Sequence, residues 1–408
     1  MAKFKKIRDV VYGFVTIDEQ EQSIIDHPSF QRLRRVKQLS LTDMLYPGAN
    51  HTRFEHSIGV MQMASDMFDS IIRKDENKRV LAEKLSIDET SIPIYRKIVR
   101  LAALLHDVGH APFSHSGEEI MPVISSDNLD KRYKHEEYSI TIIKEMFRSL
   151  IENHPMISAE SVTALLGDES VPLKAATLLW KSLISGQLDA DRADYLLRDS
   201  LHLGVSYGLY DRDRLVNSMT LAQNEETQAP VIAIQEKGWH LAESLVIARY
   251  QMFSQVYFHR VRRIYDHHIC CAAKEILQHF EFSGVYPNPE SAAQYIEFDD
   301  WKINAAIKEG LGGKHGDIIM KRKHFKCVAE INSSEEIEQI KGLEDKYKRQ
   351  GVDCYLDTIP SKEWYKISED ILIEEGATVQ PLSKKSMIVN AMKAKPQLTM
   401  RLYAERKI

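Results

Sequence analysis

Apolar residues recur at helical spacing along most of the chain as far as Phe280. Ile24, Ile25, Phe30, Leu33, Val36 and Leu39 mark one such segment, with Pro28 near its start, where a missing N–H is tolerated. Val60, Met61, Met63 and Met67 mark a second, and methionines at this spacing read as core packing. Further helical patterns run to Leu105, from Ser139 to Ile151, from Ser161 to Leu166 and from Leu241 to Phe280. Val10, Val11, Tyr12, Phe14 and Val15 around Gly13 read instead as a short strand or hairpin, and residues 124–134 as a polar loop. After Pro287 and Pro289 the texture changes. β-like runs (Phe325–Ile331, Val352–Thr358, Leu398–Ala404) alternate with helical ones (Ser334–Tyr347, Tyr365–Ile371). The pattern predicts a mainly α protein: a multi-helical core over residues 1–282 and a smaller C-terminal α+β subdomain over 283–408.

One stretch breaks this pattern. The apolar run Leu101–Leu105 arrives at adjacent His106 and Asp107, then stops at Gly109 and Pro112, with His110 and His115 close behind. A buried carboxylate costs several kcal/mol unless it is paired or bound to a cation. Neutral imidazole and carboxylate are ordinary ligands of a divalent metal, which resolves that cost. A second unusual stretch carries Asp189, Asp191, Asp194 and Asp199, with Asp191 and Tyr195 on one helical face. Its plain reading is a surface helix salt-bridged through Arg192 and Arg198. His56, at the start of the methionine helix, is by itself a structural histidine. Together, His56, His106, Asp107 and Asp191 have the composition of one metal site, and that composition suits Mn, Fe, Mg, Zn, Co or Ni without choosing among them. His110, His115 and His135 would supply proton-donating or cationic groups, with Glu118 and Glu136 to hold their tautomers, and Arg53 and Arg192 would contact phosphate. The basic residues Arg32, Arg34, Arg35 and Lys37 read as a solvated helix face.

Composition narrows the classes. The 408 residues carry a formal net charge of -5, with 54 Lys and Arg against 59 Asp and Glu, which disfavours a dedicated nucleic-acid binder. The four cysteines, Cys270, Cys271, Cys327 and Cys354, form no CxxC pair and no disulfide framework. There is no apolar h-region behind the first residues and no run near the ~20 apolar residues of a membrane helix, so a cytoplasmic protein without membrane partners is expected. No P-loop, nucleophile elbow or dinucleotide fingerprint competes with a metal-assisted phosphate chemistry.

Phe30 to Leu39, Tyr46 to Ser57, His106 to His115, Lys134 to Glu136 and Leu188 to Ser200 resemble, in order and in spacing, the deoxynucleoside triphosphate triphosphohydrolase (dNTPase) branch of the HD-domain phosphohydrolases. The resemblance spans roughly residues 1–270. It implies cleavage of a dNTP at the α-phosphorus to deoxynucleoside and inorganic triphosphate. It assigns the metal to His56, His106, Asp107 and Asp191, and phosphate contact or proton donation to His110, His115 and His135, supported by Glu118. Arg53 and Arg192 would hold phosphate oxygens, Gln38, Tyr195 and Asp199 would read the sugar, Leu39 would crowd the 2′ position, and Tyr265 would face the base. Asp26, Gln31 and Arg34 match a regulatory nucleotide site, which implies an activating nucleotide, and a homo-oligomer built on dimers is implied as well. Glu118 departs from the Asp of some relatives, and an arginine expected near Val256 is missing. The alternatives are another HD-type phosphohydrolase (a nucleotidase or phosphodiesterase, even a dinuclear one) and a nucleotide-sensing protein without turnover.

Overall fold

The computed structural model describes residues 4–125, 128–172, 174–224, 226–359, 370–376, 378–393 and 398–405. Its centre is three helices that bury their apolar stripes against one another: Arg53–Ile72, Ile92–Leu105 and Ala190–Leu203. Met61, Met63 and Met67 of the first are fully buried, each contributing about 1.5–3 kcal/mol of burial. The third starts on Asp189, whose side chain accepts the Arg192 N–H at 2.8 Å, and stops at Gly204 in the left-handed region. The helices come close enough to require Gly59, because a Cβ there would collide with the Asp194 carboxylate and the Arg198 guanidinium. Three helix ends therefore converge: the starts of Arg53–Ile72 and Ala190–Leu203 and the end of Ile92–Leu105.

The predicted hairpin at the N-terminus is present as antiparallel strands Lys5–Asp9 and Gly13–Ile17, in register from Lys5 against Ile17 to Asp9 against Gly13. Where one helix is expected over 24–39, the chain breaks into Glu19–Asp26, Pro28–Gln31 and a 3-10 turn Arg32–Arg35. The solvated reading of its basic face is corrected here. Arg32 is buried and donates to the Phe298 and His110 carbonyls at 2.8 and 2.9 Å, half-buried Arg35 and Lys37 pair with Asp299 and Asp43, and Arg34 is exposed, over the Phe54 ring. Residues expected as a loop near 124–134 form a small hairpin, Val123–Ser125 with Asn128–Arg132. The long helical run from Leu241 to Phe280 is two helices, Trp239–Met252 and Arg260–His279, separated by a π-helical turn, Phe253–Tyr257.

The tail contributes a three-stranded antiparallel sheet with Thr399–Ala404 between Lys326–Ile331 and Cys354–Ile359, covered by the helix Ile337–Arg349. These strands match the expected β-like runs. The helix expected over Tyr365–Ile371 falls mostly on residues outside the described ones. A second sheet crosses the expected boundary at residue 283: Met219–Gln223 and Pro230–Ile234 join Leu372–Glu375 and Thr378–Pro381, with Ile234 paired in parallel to Ile373. The main hydrophobic core likewise runs from Val15 to Val389. No helix among the described residues is long and apolar enough to cross a membrane.

A buried ion cluster ties the N-terminal segment to the centre. Glu21 accepts from Arg100 at 2.7 and 2.9 Å and from Lys97 at 2.9 Å, and Arg100 also donates to Ser65. Burial alone would raise the Glu21 carboxyl, but Arg100 and Lys97 bring it from 4.5 down to about 2. The folded pKa lies below the unfolded one, so this stabilisation is complete above pH 4.5 and is lost as the pH falls from 4.5 towards 2. The shift corresponds to about 3 kcal/mol. A Glu21→Gln variant should therefore be less stable than the parent at pH 7 by about that amount in urea unfolding. The gap between the two proteins should close as the unfolding is repeated at pH 4 and pH 3.

Candidate active site

At the convergence of the three helices, His56, His106 and Asp107 each bring a ligand atom within 4.8 Å of the others, a group that could hold a metal ion. Nδ1 of His56 donates to Asp194 at 2.8 Å, which turns Nε2 toward Asp191 Oδ1 at 3.0 Å and Asp107 Oδ2 at 3.6 Å. Nδ1 of His106 donates to the Ala103 carbonyl at 2.8 Å, so Nε2 carries a lone pair. That buried nitrogen has no hydrogen-bond partner among the described residues. It faces Asp107 Oδ1 at 3.2 Å and Asp191 Oδ1 at 3.8 Å, acceptor against acceptors. A cation fits this donor set and would satisfy all four groups at once. Burial would lower the His56 pKa, but hydrogen bonds to Asp191 and Asp194 and the charge of Asp107 raise it to about 10, so a proton stands in for the positive charge. Burial would raise Asp107, yet Arg53, His106 and His110 hold it well below the usual carboxylate range.

A second group lies beside the first. Glu118 Oε1 is 2.5 Å from Nδ1 of His135, 3.2 Å from Nδ1 of His115 and 3.8 Å from Nδ1 of His110. The His110 and His135 rings stack with centroids 3.8 Å apart, and Nε2 of His110 lies 3.3 Å from Asp107 Oδ1, which links the two groups. His115 is the exposed member. Burial would lower His135, but Glu136 and Glu118 raise it to about 9, so it carries a proton at neutral pH. Gly109 permits this packing, since a Cβ would strike the His135 carbonyl and the Ser139 N–H. These four residues also bring ligand atoms within 4.8 Å of one another.

The remaining expected residues are distributed around this centre. Arg53 is buried, with its guanidinium on Asp107 Oδ2 at 2.6 Å and Ser114 Oγ at 2.9 Å. Arg192 caps its own helix start through Asp189 and the Gly186 carbonyl. Asp199 is buried between Nε2 of His51 at 2.8 Å and the Tyr257 hydroxyl at 2.6 Å, and the Tyr195 ring packs edge-on against Tyr257. Gln38 and Leu39 are buried, and the Gln38 N–H donates to the His51 carbonyl at 3.0 Å. Tyr265 is buried, with its ring 4.9 Å from that of His324. Of the three expected regulatory residues, Gln31 and Arg34 are brought together by a 2.8 Å hydrogen bond, whereas Asp26 bonds Gln22.

Four contributors were not assigned from sequence. Asp194 orients His56 and is itself held by Arg198 at 2.8 and 2.9 Å. His51 and Ser114 fix Asp199 and Arg53. Asp300, at the start of the helix Asp300–Lys308, accepts the Phe113 N–H at 2.7 Å and the Lys37 N–H at 2.9 Å. Asp194 had a visible signal, the Arg198 one turn on; Asp300 had none.

Residues 53–199 match the HD domain family, and residues 210–407 match the HD associated region. The chain thus carries an HD domain at residues 53–199. A Methanocaldococcus jannaschii protein is 39% identical over 262 residues, covering 64% of this chain and 48% of that one, so the chain spans about half the length of that relative. The Dictyostelium discoideum homolog of the deoxynucleoside triphosphate triphosphohydrolase SAMHD1 is 28% identical over 377 residues, 91% of this chain and 67% of that protein. The crystal structure of a phosphohydrolase from Bacteroides thetaiotaomicron superimposes with a TM-score of 0.76 at 25% identity, covering 99% of this chain and all (100%) of that one. The adjacent His106 and Asp107 of this HD domain are the pair that the helix end Ile92–Leu105 delivers.

Because Asp194 fixes the ring of His56 without facing the carboxylate pair itself, its loss should loosen the site rather than empty it. Asp194→Asn is expected to weaken metal affinity about 10–100-fold, measured by equilibrium dialysis with Mn and elemental analysis. Asp191→Ala should retain no bound ion at the same concentrations.

Proposed function

We propose that this HD-domain protein is a metal-dependent phosphohydrolase that cleaves deoxynucleoside triphosphates to deoxynucleoside and inorganic triphosphate. The observation that carries the reading is the placement of His135, hydrogen-bonded to Glu118, beside the His56, His106 and Asp107 group, whose ligand atoms lie close enough to share one metal ion. A divalent ion held by His56, His106, Asp107 and Asp191 would supply Lewis acidity toward a phosphoryl oxygen. His135 donates its proton to the departing 5′ oxygen, and Glu118 keeps its Nδ1 engaged so that Nε2 is the donating atom. His110, stacked on His135, and exposed His115 contact phosphate. Arg53 holds Asp107 in place and, with Arg192, borders the phosphate path. Gln38, Leu39, Tyr195 and Asp199 read the sugar, and Tyr265 the base. Similarity to the Dictyostelium SAMHD1 homolog supports the dNTP substrate, and similarity to the Bacteroides phosphohydrolase supports phosphate-ester hydrolysis.

A dinuclear phosphohydrolase is the second reading, and the His110, His115, Glu118 and His135 group favours it by offering donors for another ion. In either case Asp26, Gln31 and Arg34 would bind an activating nucleotide, residues 283–408 would serve assembly or regulation, and a cytoplasmic homo-oligomer is proposed.

Incubation with Mn and each dNTP or NTP, with products resolved by chromatography, should release intact triphosphate from dNTPs only. Orthophosphate or pyrophosphate as the sole product would overturn the leading reading. His135→Ala should lower kcat by about 10²–10⁴ with metal content unchanged. Loss of metal in that variant would make His135 a ligand and favour the dinuclear site. Added dGTP should speed dATP hydrolysis, and no change at any dGTP level would remove the activating site.

A further inference from the structure

A third group of metal-type donors lies away from the HD-domain site, where helix Arg260–His279 packs on helix Gly313–Lys321. His267 and Cys271 are one turn apart on the first helix and so share a face; His315 comes from the second. One ligand atom from each lies within 4.8 Å of the other two. Sγ of Cys271 is 3.7 Å from Nε2 of His267. Zinc bonds of about 2.3 Å to sulfur and 2.0 Å to nitrogen, at tetrahedral angles, place those atoms about 3.5 Å apart. The helix therefore already presents the pair at close to the spacing that one zinc ion needs. All three side chains are half-buried, and among the described residues no carboxylate forms an ion pair with either imidazole.

We infer that His267, Cys271 and His315 bind a zinc ion that clamps these two helices together. Thiolate with two imidazoles is a borderline-soft set, which selects zinc over Mg, Ca or Mn. His268 supports the third ligand: its Nδ1 lies 2.9 Å from Nδ1 of His315, so one proton joins the two rings. With zinc on the other nitrogen of His315, that proton resides on His315 and is donated to His268, the usual orienting arrangement for a ligand imidazole. His268 then carries its own proton on Nε2, so the 3.2 Å bond that the Phe325 N–H donates there is given up, a cost set against zinc binding. The imidazole pair keeps both protons, and zinc binding releases one proton, from the Cys271 thiol. The fourth position is left to water. The clamp bears on the HD-domain site, because the same helix holds Ser116 through Asp266 at 2.6 Å and Cys270 at 2.7 Å, next to His115.

Cobalt distinguishes this site from the sulfur-free HD-domain site. Titration of chelator-stripped, full-length protein with CoCl2 should give a thiolate-to-cobalt charge-transfer band in the near ultraviolet, displaced by ZnCl2 and, in Asp107→Ala, saturating at one equivalent. Asp107→Ala should keep the band and Cys271→Ser should lose it. His267→Ala and His315→Ala should weaken cobalt affinity at least about tenfold, and they carry the test alone if Cys271→Ser does not fold. Zinc should raise the Tm of Asp107→Ala but not of the double variant Asp107→Ala/His315→Ala, in which both sites are disabled. No near-ultraviolet band in the parent protein, a band that persists in Cys271→Ser, or unaltered affinity in both histidine variants overturns the site.

Discussion

Two imidazole Nε2 atoms and two carboxylates aimed at one point are the constraint on which the centre of the structure depends. The aim follows from the far side of each ring. Asp194 accepts a hydrogen bond from Nδ1 of His56, and the Ala103 carbonyl accepts one from Nδ1 of His106. Each Nε2 is thereby turned inward, against Asp107 and Asp191. Such a set repels itself unless positive charge lies among its members. The protonation of His56 and the Arg53 guanidinium on Asp107 supply part of that charge from within the chain. The arrangement also explains why three helix ends meet here rather than three helix middles. Asp191 sits in the first turn of its own helix, where the dipole favours a carboxylate, and His106 at the last turn of another, where it favours a cation.

Much of this was legible in the sequence because the chemistry contradicts its surroundings. A His and an Asp at the end of an apolar run, or several aspartates along a stripe of leucines, cannot be accounted for by packing alone. The helices, the N-terminal hairpin and the three tail strands were legible for the opposite reason: their periodicity agrees with their packing. What escaped were residues whose local pattern has two readings. Arg32 looks like its basic neighbours, yet its guanidinium is buried against two backbone carbonyls, and no local spacing separates it from a solvated arginine. Asp194 and Arg198 form the same i,i+4 pair that an exposed helix would carry; only the proximity of His56, set by tertiary packing, makes it an orienting group. The sheet that joins Ile234 to Ile373 is a contact between distant segments, to which periodicity along the chain is blind.

The loop that follows the His106–Asp107 pair makes the site depend on the tail. Phe113 and Ser114 both have positive φ, 60° and 57°, a conformation that costs a non-glycine residue about 1–3 kcal/mol. Within the loop the Ser114 N–H donates to the Ala111 carbonyl at 2.9 Å and the Ser116 N–H to the Phe113 carbonyl at 3.2 Å. Further compensating bonds come from farther along the chain: Asp300 accepts the Phe113 N–H, the Tyr295 hydroxyl donates to the Gly109 carbonyl at 2.7 Å, and Asp266 and Cys270 hold Ser116. Arg32 closes the ring by joining the Phe298 carbonyl to that of His110. The strained turn thus places His110 and His115 only while residues 295–300 and the Arg260–His279 helix are packed against it. The segment that matches the HD domain carries His56, His106, Asp107 and Asp191, and the segment that matches the HD associated region supplies much of the packing that holds the histidines beside them. A change in how those later helices pack would reach the histidines before it reached His56 or Asp107, whose own supports, Asp194 and Arg53, lie within the three central helices.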